Sequence, residues 1–88
     1  MAQQVQAALT ILRRKQVEAR TGYSRSTIYL RIAQGLMTKP VNLGARAVGW
    51  PAGEVDTLNA ARVAGKSDTE IRKLVEALES ARRLALAA

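Results

Sequence analysis

Residues 21–29 read TGYSRSTIY, and this stretch decides the fold that the sequence predicts. Gly22 can adopt a positive φ without the steric cost of a Cβ atom, so it can end one helix sharply. Ser24 offers a side-chain oxygen to the free N–H groups of the next helix, and Tyr23 and Ile28 then occupy the two positions of a hydrophobic staple. The stretch therefore predicts the turn and the second helix of a helix-turn-helix.

The two helices on either side of this turn have different roles. The first is expected over residues 13–20, with Val17 as its inward apolar side chain. The second should run from about residue 25 to residue 34 and stop at Gly35 in a Schellman cap. Its inward stripe contains Ile28 and Ile32, and another face carries the groups that hydrogen-bond bases or phosphates, Arg25, Ser26 and Tyr29. We expect this second helix to enter a DNA major groove.

The composition excludes several classes of protein. An 88-residue chain is one small domain, too small for a deep substrate cleft on a catalytic scaffold. It has no Cys and no His, and its seven acidic residues form no recognisable acid/base constellation. We therefore predict no enzyme, no catalytic or metal-ligating residue and no cofactor. No signal peptide or stretch of about 18 consecutive apolar residues is apparent, so we expect a cytoplasmic protein without a membrane partner.

The positive charge is concentrated in the first half of the chain. Residues 1–50 contain eight basic side chains and one acidic one, whereas residues 51–88 contain six of each. The net charge of +7 thus belongs to the half with the helix-turn-helix pattern, which indicates a polyanionic partner, by default nucleic acid. The alternative is a solvated basic face that aids solubility.

Short strands are predicted on both sides of the two helices. Residues 1–10 are expected to be a flexible lead-in, although Leu9, Ile11 and Leu12 suggest a short strand docked on the domain. After Lys39 and Pro40, residues 41–50 alternate as a β-hairpin. A four-residue loop over residues 44–47 is the more consistent register, because it pairs apolar residues across the strands, Leu43 with Val48 and Val41 with Trp50.

This register puts Arg46 at the hairpin tip, where a basic residue is typical of a wing that contacts the DNA backbone or minor groove. The alternative is a hairpin that only covers the core. Trp50 is expected to anchor the wing to the core.

Two further helices complete the prediction. The third should run from about Pro51 to Ala64, with Val55 and Leu58 facing inward. Residues 67–70, SDTE, form a capping-box pattern before a fourth, amphipathic helix, on which Glu79 is expected to pair with Arg82 and Arg83. The predicted domain division is a winged helix-turn-helix over residues 11–65 and an amphipathic helix over residues 66–88. The last helix belongs either to the core or to a homodimer contact through residues 67–87.

The run from Leu12 to Asp56 resembles the AlpA family of prophage regulatory proteins, whose winged helix-turn-helix is related to MerR-type and excisionase DNA-binding domains. The resemblance covers about half the chain. It depends on an ordered set of segments: residues 20–29 (RTGYSRSTIY), Gly35, 39–41 (KPV), 43–44 (LG), 46–50 (RAVGW) and 54–56 (EVD). Many family members carry a basic residue directly after the Tyr, whereas here Leu30 follows Tyr29 and the charge comes one step later at Arg31.

The resemblance implies a cytoplasmic regulator of a prophage or integrated element that binds a promoter or the attachment region. On this view residues 24–29 begin the recognition helix and Arg46 is the wing contact. The predicted DNA-binding residues are Arg13, Arg14, Lys15, Ser24, Arg25, Ser26, Thr27, Tyr29, Arg31, Lys39 and Arg46. Three of them have a second interpretation: Arg25 contacts either a base or a phosphate, Thr27 can cap its helix locally, and Tyr29 can be a partly buried core aromatic.

Three functions fit these residues. The first is a sequence-specific transcriptional regulator. The second is an architectural excisionase that bends attachment-site DNA, for which a phage integrase would be the partner. The third is a protein-interaction module that uses the last helix.

Overall fold

The computed structural model describes residues 9–86. In chain order the elements are β1 (Ile11–Leu12), α1 (Arg14–Thr21), α2 (Arg25–Ala33), β2 (Val41–Gly44), β3 (Ala47–Pro51), α3 (Ala52–Val63), α4 (Asp68–Ala81) and a 3₁₀ turn (Arg82–Leu84). The prediction of a mainly helical winged helix-turn-helix with a C-terminal amphipathic helix is confirmed. Most of the predicted lead-in lies outside the described residues.

The turn between α1 and α2 forms as the sequence predicts. Gly22 ends α1 with φ 77°, and its N–H donates to Glu18 O. The hydroxyl of Ser24 accepts from the N–H of Thr27 at 3.2 Å, so Ser24 is the N-cap of α2. Because both ends of this turn are fixed by local hydrogen bonds, the angle between the two helices is set by residues 21–28 themselves.

The sheet has three antiparallel strands in the order β1-β3-β2. The predicted docked strand is β1, which pairs Leu12 with Trp50. Gly49 lies where the strands crowd: a Cβ atom there would overlap Ile11 and lie 2.9 Å from Leu12 O. A glycine at this position therefore allows β1 to approach β3.

The predicted hairpin register is wrong. The observed partners are Val41 with Gly49, Asn42 with Val48 and Gly44 with Ala47, and the connecting turn contains only Ala45 and Arg46. An irregularity between Asn42 and Gly44 shifts the ladder. Asn42 Oδ1 accepts from the N–H of Gly44 at 3.0 Å, a local bond that competes with regular pairing. Trp50 is left free to pair with β1, and Arg46 still lies at the tip.

The core gathers side chains from every helix and from the sheet. Its largest fully buried members are Trp50, Ile28, Ile71, Val17 and Val55. The indole N–H of Trp50 donates to the backbone oxygen of Thr38 at 2.9 Å, so the predicted anchor between wing and core is confirmed.

The C-terminal helix shares this core. Ile71 and Val75 are buried in it, and Leu74 and Leu78 pack against it. The capping box is present, because the Ser67 hydroxyl accepts from the Glu70 N–H while the Glu70 carboxylate accepts from the Ser67 N–H. Hydrogen bonds from Ser67 lower the pKa of Glu70 below its usual value. At least part of the apolar stripe is thus core, and the homodimer contact stays a prediction.

Two details at the ends of α3 and α4 differ from expectation. Pro51 is the last residue of β3 and the N-cap of α3, instead of lying in its first turn. Arg82 pairs with Glu54 on α3, and Glu79 accepts from the Lys39 N–H. Within residues 9–86 Glu79 forms no ion pair with Arg82 or Arg83, so that predicted pairing is wrong. Over residues 9–86, no helix has the length and apolar character that crossing a membrane requires.

Candidate nucleic-acid interface

A cleft of about 370 Å³ opens between the start of α1, the start of α2 and the wing. Its lining comprises five basic side chains, one tyrosine and one valine: Arg13, Arg14, Lys15, Arg25, Arg46, Tyr29 and Val48. We call it the cationic cleft. Three elements that are distant in sequence thus present their positive charges to one space.

Each element positions its cations through local structure. Arg13 precedes α1 and its N–H donates to Gln16 Oε1 at 2.8 Å, which fixes the start of that helix. Arg25 is the first residue of α2, directly after the Ser24 cap. A side chain at this position projects beyond the helix end, where recognition helices present groups to base edges.

Arg46 is held at the wing tip in an uncommon backbone conformation. Its φ is 59°, the one positive value among the described residues that are not glycine. An L side chain in this region costs about 1–2 kcal/mol relative to the usual backbone conformations, a cost that glycine does not carry. The chain nevertheless has arginine here, exposed and facing the cationic cleft. Backbone strain of this kind is more often retained where a side chain has a function.

Tyr29 joins the cleft to the core. Its ring makes an edge-to-face contact with Trp50, with centroids 6.4 Å apart and planes at 64°, and the side chain is 41% exposed. Tyr29 thus packs on a core aromatic, which is one of the two interpretations made from the sequence, and it also lines the cleft. Its contact with DNA stays a prediction.

The charges in the cleft are mostly uncompensated. Arg14 forms an ion pair with Glu18 in the next turn, but within residues 9–86 the side chains of Arg13, Lys15, Arg25 and Arg46 have no acidic partner. None of the described residues that line the cleft carries a carboxylate. Elsewhere several basic side chains are paired: Arg20 with Asp56, Arg62 with Asp68, Lys66 with Glu70 and Arg82 with Glu54. The cleft therefore concentrates positive potential, which attracts a polyanion.

The remaining predicted site residues lie outside the cleft lining. Ser24 is the N-cap of α2, and Ser26 and Thr27 are in its first turn. The capping oxygen belongs to Ser24, and the Thr27 hydroxyl accepts from the Ser24 hydroxyl at 3.0 Å. The guanidinium of Arg31 lies 5.7 Å from the ring centre of Tyr23. Lys39 is in the segment between α2 and β2 and lines a different cleft, together with Arg72 and Glu79. DNA contacts by these five residues stay predictions.

Sequence reasoning missed Val48 as a lining residue and missed the Arg82–Glu54 pair. The predicted register pairs Val48 with Leu43, whereas its observed partner is Asn42. Glu54 is 7% exposed, and its two carboxylate oxygens accept from Arg82 at 2.7 and 2.8 Å. A carboxylate buried near a helix start needs a cation, but the sequence does not indicate which of six basic residues in the second half supplies it.

The fold and the cationic cleft define the class: a winged helix-turn-helix whose basic groups converge where the starts of α1 and α2 meet the wing. A scan against family models gives a match to the prophage CP4-57 regulatory protein (AlpA) family over residues 10–63. The chain belongs to this family, which makes it a phage-related regulatory DNA-binding protein. Neither the curated proteins nor the solved structures contained a match.

Proposed function

We propose that the chain is a sequence-specific transcriptional regulator of a prophage or integrated element, with α2 in the major groove and the wing on the adjacent backbone or minor groove. One observation carries the proposal: cations from α1, α2 and the wing tip converge on a single cleft without a carboxylate. Phosphate contacts supply affinity and base contacts supply specificity, so a DNA-reading surface needs both kinds of group.

The cations divide naturally between these two tasks. Arg25 begins a nine-residue helix, and an α-helix with its side chains is about 10–12 Å in diameter, which fits a major groove about 12 Å wide. A bidentate contact from its guanidinium to guanine would contribute about 1–3 kcal/mol of discrimination. Arg13, Lys15 and Arg46 flank this helix on both sides and are suited to phosphates. Their contribution would be independent of sequence and strongly dependent on salt.

The test is a binding assay on DNA from the element that encodes the protein. Duplexes from the promoter and from the attachment region are compared with a scrambled duplex of equal length, and a bending assay is run on each complex. Tight, salt-dependent binding to the promoter with a change in transcription is the expected result. Strong bending at attachment DNA without an effect on transcription would assign the protein to the excisionases instead. Absence of salt-dependent binding to any duplex would refute DNA recognition and favour a protein-interaction role.

Two further partners are part of the proposal. A second copy would bind through residues 67–87, and a phage integrase would bind if the attachment region is the target. Sedimentation of the protein alone, on DNA and with integrase measures both associations. A single monomeric species under all three conditions would exclude them.

A further inference from the structure

The segment between α2 and β2 is held by side chains from the C-terminal helix and its 3₁₀ turn. Arg72 Nε donates to Gln34 O at 2.9 Å. Glu79 Oε2 accepts from the Lys39 N–H at 2.8 Å, and Arg82 Nη2 donates to Lys39 O at 2.6 Å. We call Arg72, Glu79 and Arg82 the C-terminal clamp. Hydrogen bonds to backbone atoms at both ends of one segment fix its path, because those atoms cannot change rotamer.

Arg82 also joins this segment to the far end of the wing. It forms two hydrogen bonds with Glu54, which lies in the first turn of α3 directly after β3. The hydrogen bonds with Glu54 raise the pKa of Arg82 above its usual value. On the other side of the segment, the Trp50 indole donates to Thr38 O. The Arg82 guanidinium therefore bonds both the segment that precedes β2 and the helix that follows β3. The Trp50 indole makes a second connection, from β3 to the segment that precedes β2.

The clamp residues do not line the cationic cleft, and they lie beyond the residues matched to the family. Their effect on DNA must therefore pass through the segment that carries the wing. We propose that the C-terminal clamp is a set of positioning residues that hold the wing at a fixed distance from α2, so that Arg46 and Arg25 engage the same duplex. This inference rests on the proposed function.

Wing position can be measured without DNA, because the chain has no native Cys. Spin labels are placed through Ser26→Cys on α2 and Ala45→Cys at the wing tip, and their distance distribution is recorded by pulsed electron paramagnetic resonance. The contacts that Arg82 contributes to the clamp are removed by Glu54→Gln/Arg82→Met, which leaves no unpaired buried charge. Glu79→Ala is a second clamp variant that keeps the Arg82–Glu54 pair, in case the first variant does not fold. Arg62→Met, which breaks the ion pair with Asp68, is the control.

The expected result is a narrow distribution in the unaltered protein and in the control, and a broader or shifted one in the clamp variants. The same distribution in folded clamp variants and in the control overturns the inference. This readout does not depend on DNA binding. A protein whose wing responds to the clamp but that binds no DNA would refute the proposed function and leave the positioning result standing.

A double-mutant cycle with Arg46→Gln tests whether the clamp affects the contribution of Arg46 to DNA binding. In the unaltered background this substitution should weaken binding about tenfold near 0.1 M salt, the contribution of one phosphate contact. In the clamp background it should weaken binding by less than about threefold, because the wing no longer holds Arg46 against the duplex. The Arg62→Met background should retain the full effect. An equal loss in all three backgrounds would show that the clamp does not position the wing for DNA.

Discussion

Replacement of Arg46 by glycine should change stability and DNA affinity in opposite directions. The residue has φ 59°, where glycine is free of the cost of about 1–2 kcal/mol that an L side chain carries. Glycine also adds unfolded-state entropy, which offsets roughly 0.5–1 kcal/mol of that gain. The exposed Arg46 side chain has no ion pair within residues 9–86, so the substitution breaks none there. The free energy of unfolding should stay unchanged or rise by up to about 1 kcal/mol.

DNA binding should weaken in the same variant. One phosphate contact contributes about 0.9 to the slope of log K against log salt, so the slope should become less negative by that amount. Near 0.1 M salt the affinity should fall about tenfold, and by a similar factor on specific and scrambled duplexes. A loss that is uniform across sequences is the mark of a backbone contact.

Urea denaturation and fluorescence anisotropy over about 50 to 200 mM salt measure the two effects. Arg46→Lys is the matched control, because it keeps the charge and the backbone cost together. It should retain the salt slope without the gain in stability. A glycine variant with an unchanged salt slope would refute the wing contact. A fall of more than about 1 kcal/mol in its unfolding free energy would contradict the described turn.

Two further substitutions and one deletion test base recognition, strand packing and the shared core. Arg25→Ala should reduce discrimination at one base pair by about 1–3 kcal/mol, measured by competition with singly substituted sites; an equal loss on every site would place Arg25 on the backbone. Gly49→Ala should lower the free energy of unfolding by about 1–3 kcal/mol in urea, because the new Cβ would overlap Ile11; unchanged stability would show that β1 and β3 are not in close contact. Deletion of residues 67–88 removes two buried side chains worth about 1.5–3 kcal/mol each, so circular dichroism should show an unfolded chain, whereas a folded fragment would contradict a shared core.

The parts of the fold that depend on neighbouring residues were predictable. Gly22 and Ser24 specify the turn through hydrogen bonds within a few positions, and Ser67 and Glu70 do the same for α4. Local capping needs no information about the rest of the chain. The position of Val17 was also predictable, because helix periodicity places it on the inward face, and its side chain is fully buried.

Features that depend on competition between distant segments were not predictable. The predicted hairpin register was based on apolar alternation alone. In the structure Trp50 pairs with Leu12 of β1, and the irregularity at Asn42 shifts the register of β2 against β3. Arg82 has Glu79 as its sequence neighbour, yet it pairs with Glu54, 28 positions away. Which of two acidic residues binds a given arginine depends on tertiary packing.

The candidate site was predictable where local turn chemistry places a basic residue, and not where tertiary packing decides which face it lies on. Concentration of charge in residues 1–50 indicated a polyanion-binding half, and the positions of Arg25 and Arg46 at a helix start and a hairpin tip follow from turn chemistry. Arg31 and Lys39 belong to the same basic half but do not line the cleft. Charge counts do not specify a face, and a one-residue step turns a helical side chain by about 100°.

The claim that the cationic cleft is the DNA interface is tested most directly by two triple variants of equal charge. One replaces Arg13, Lys15 and Arg46 by glutamine, and the other replaces Lys66, Lys73 and Arg83, which are exposed and do not line the cleft. The measurement is the salt slope of binding to one duplex. We predict that the cleft variant loses about 2.7 of the slope, three contacts at about 0.9 each, and that the matched variant keeps the slope of the unaltered protein. Equal losses in both variants would show that DNA responds to net charge alone and would contradict the cleft as the interface.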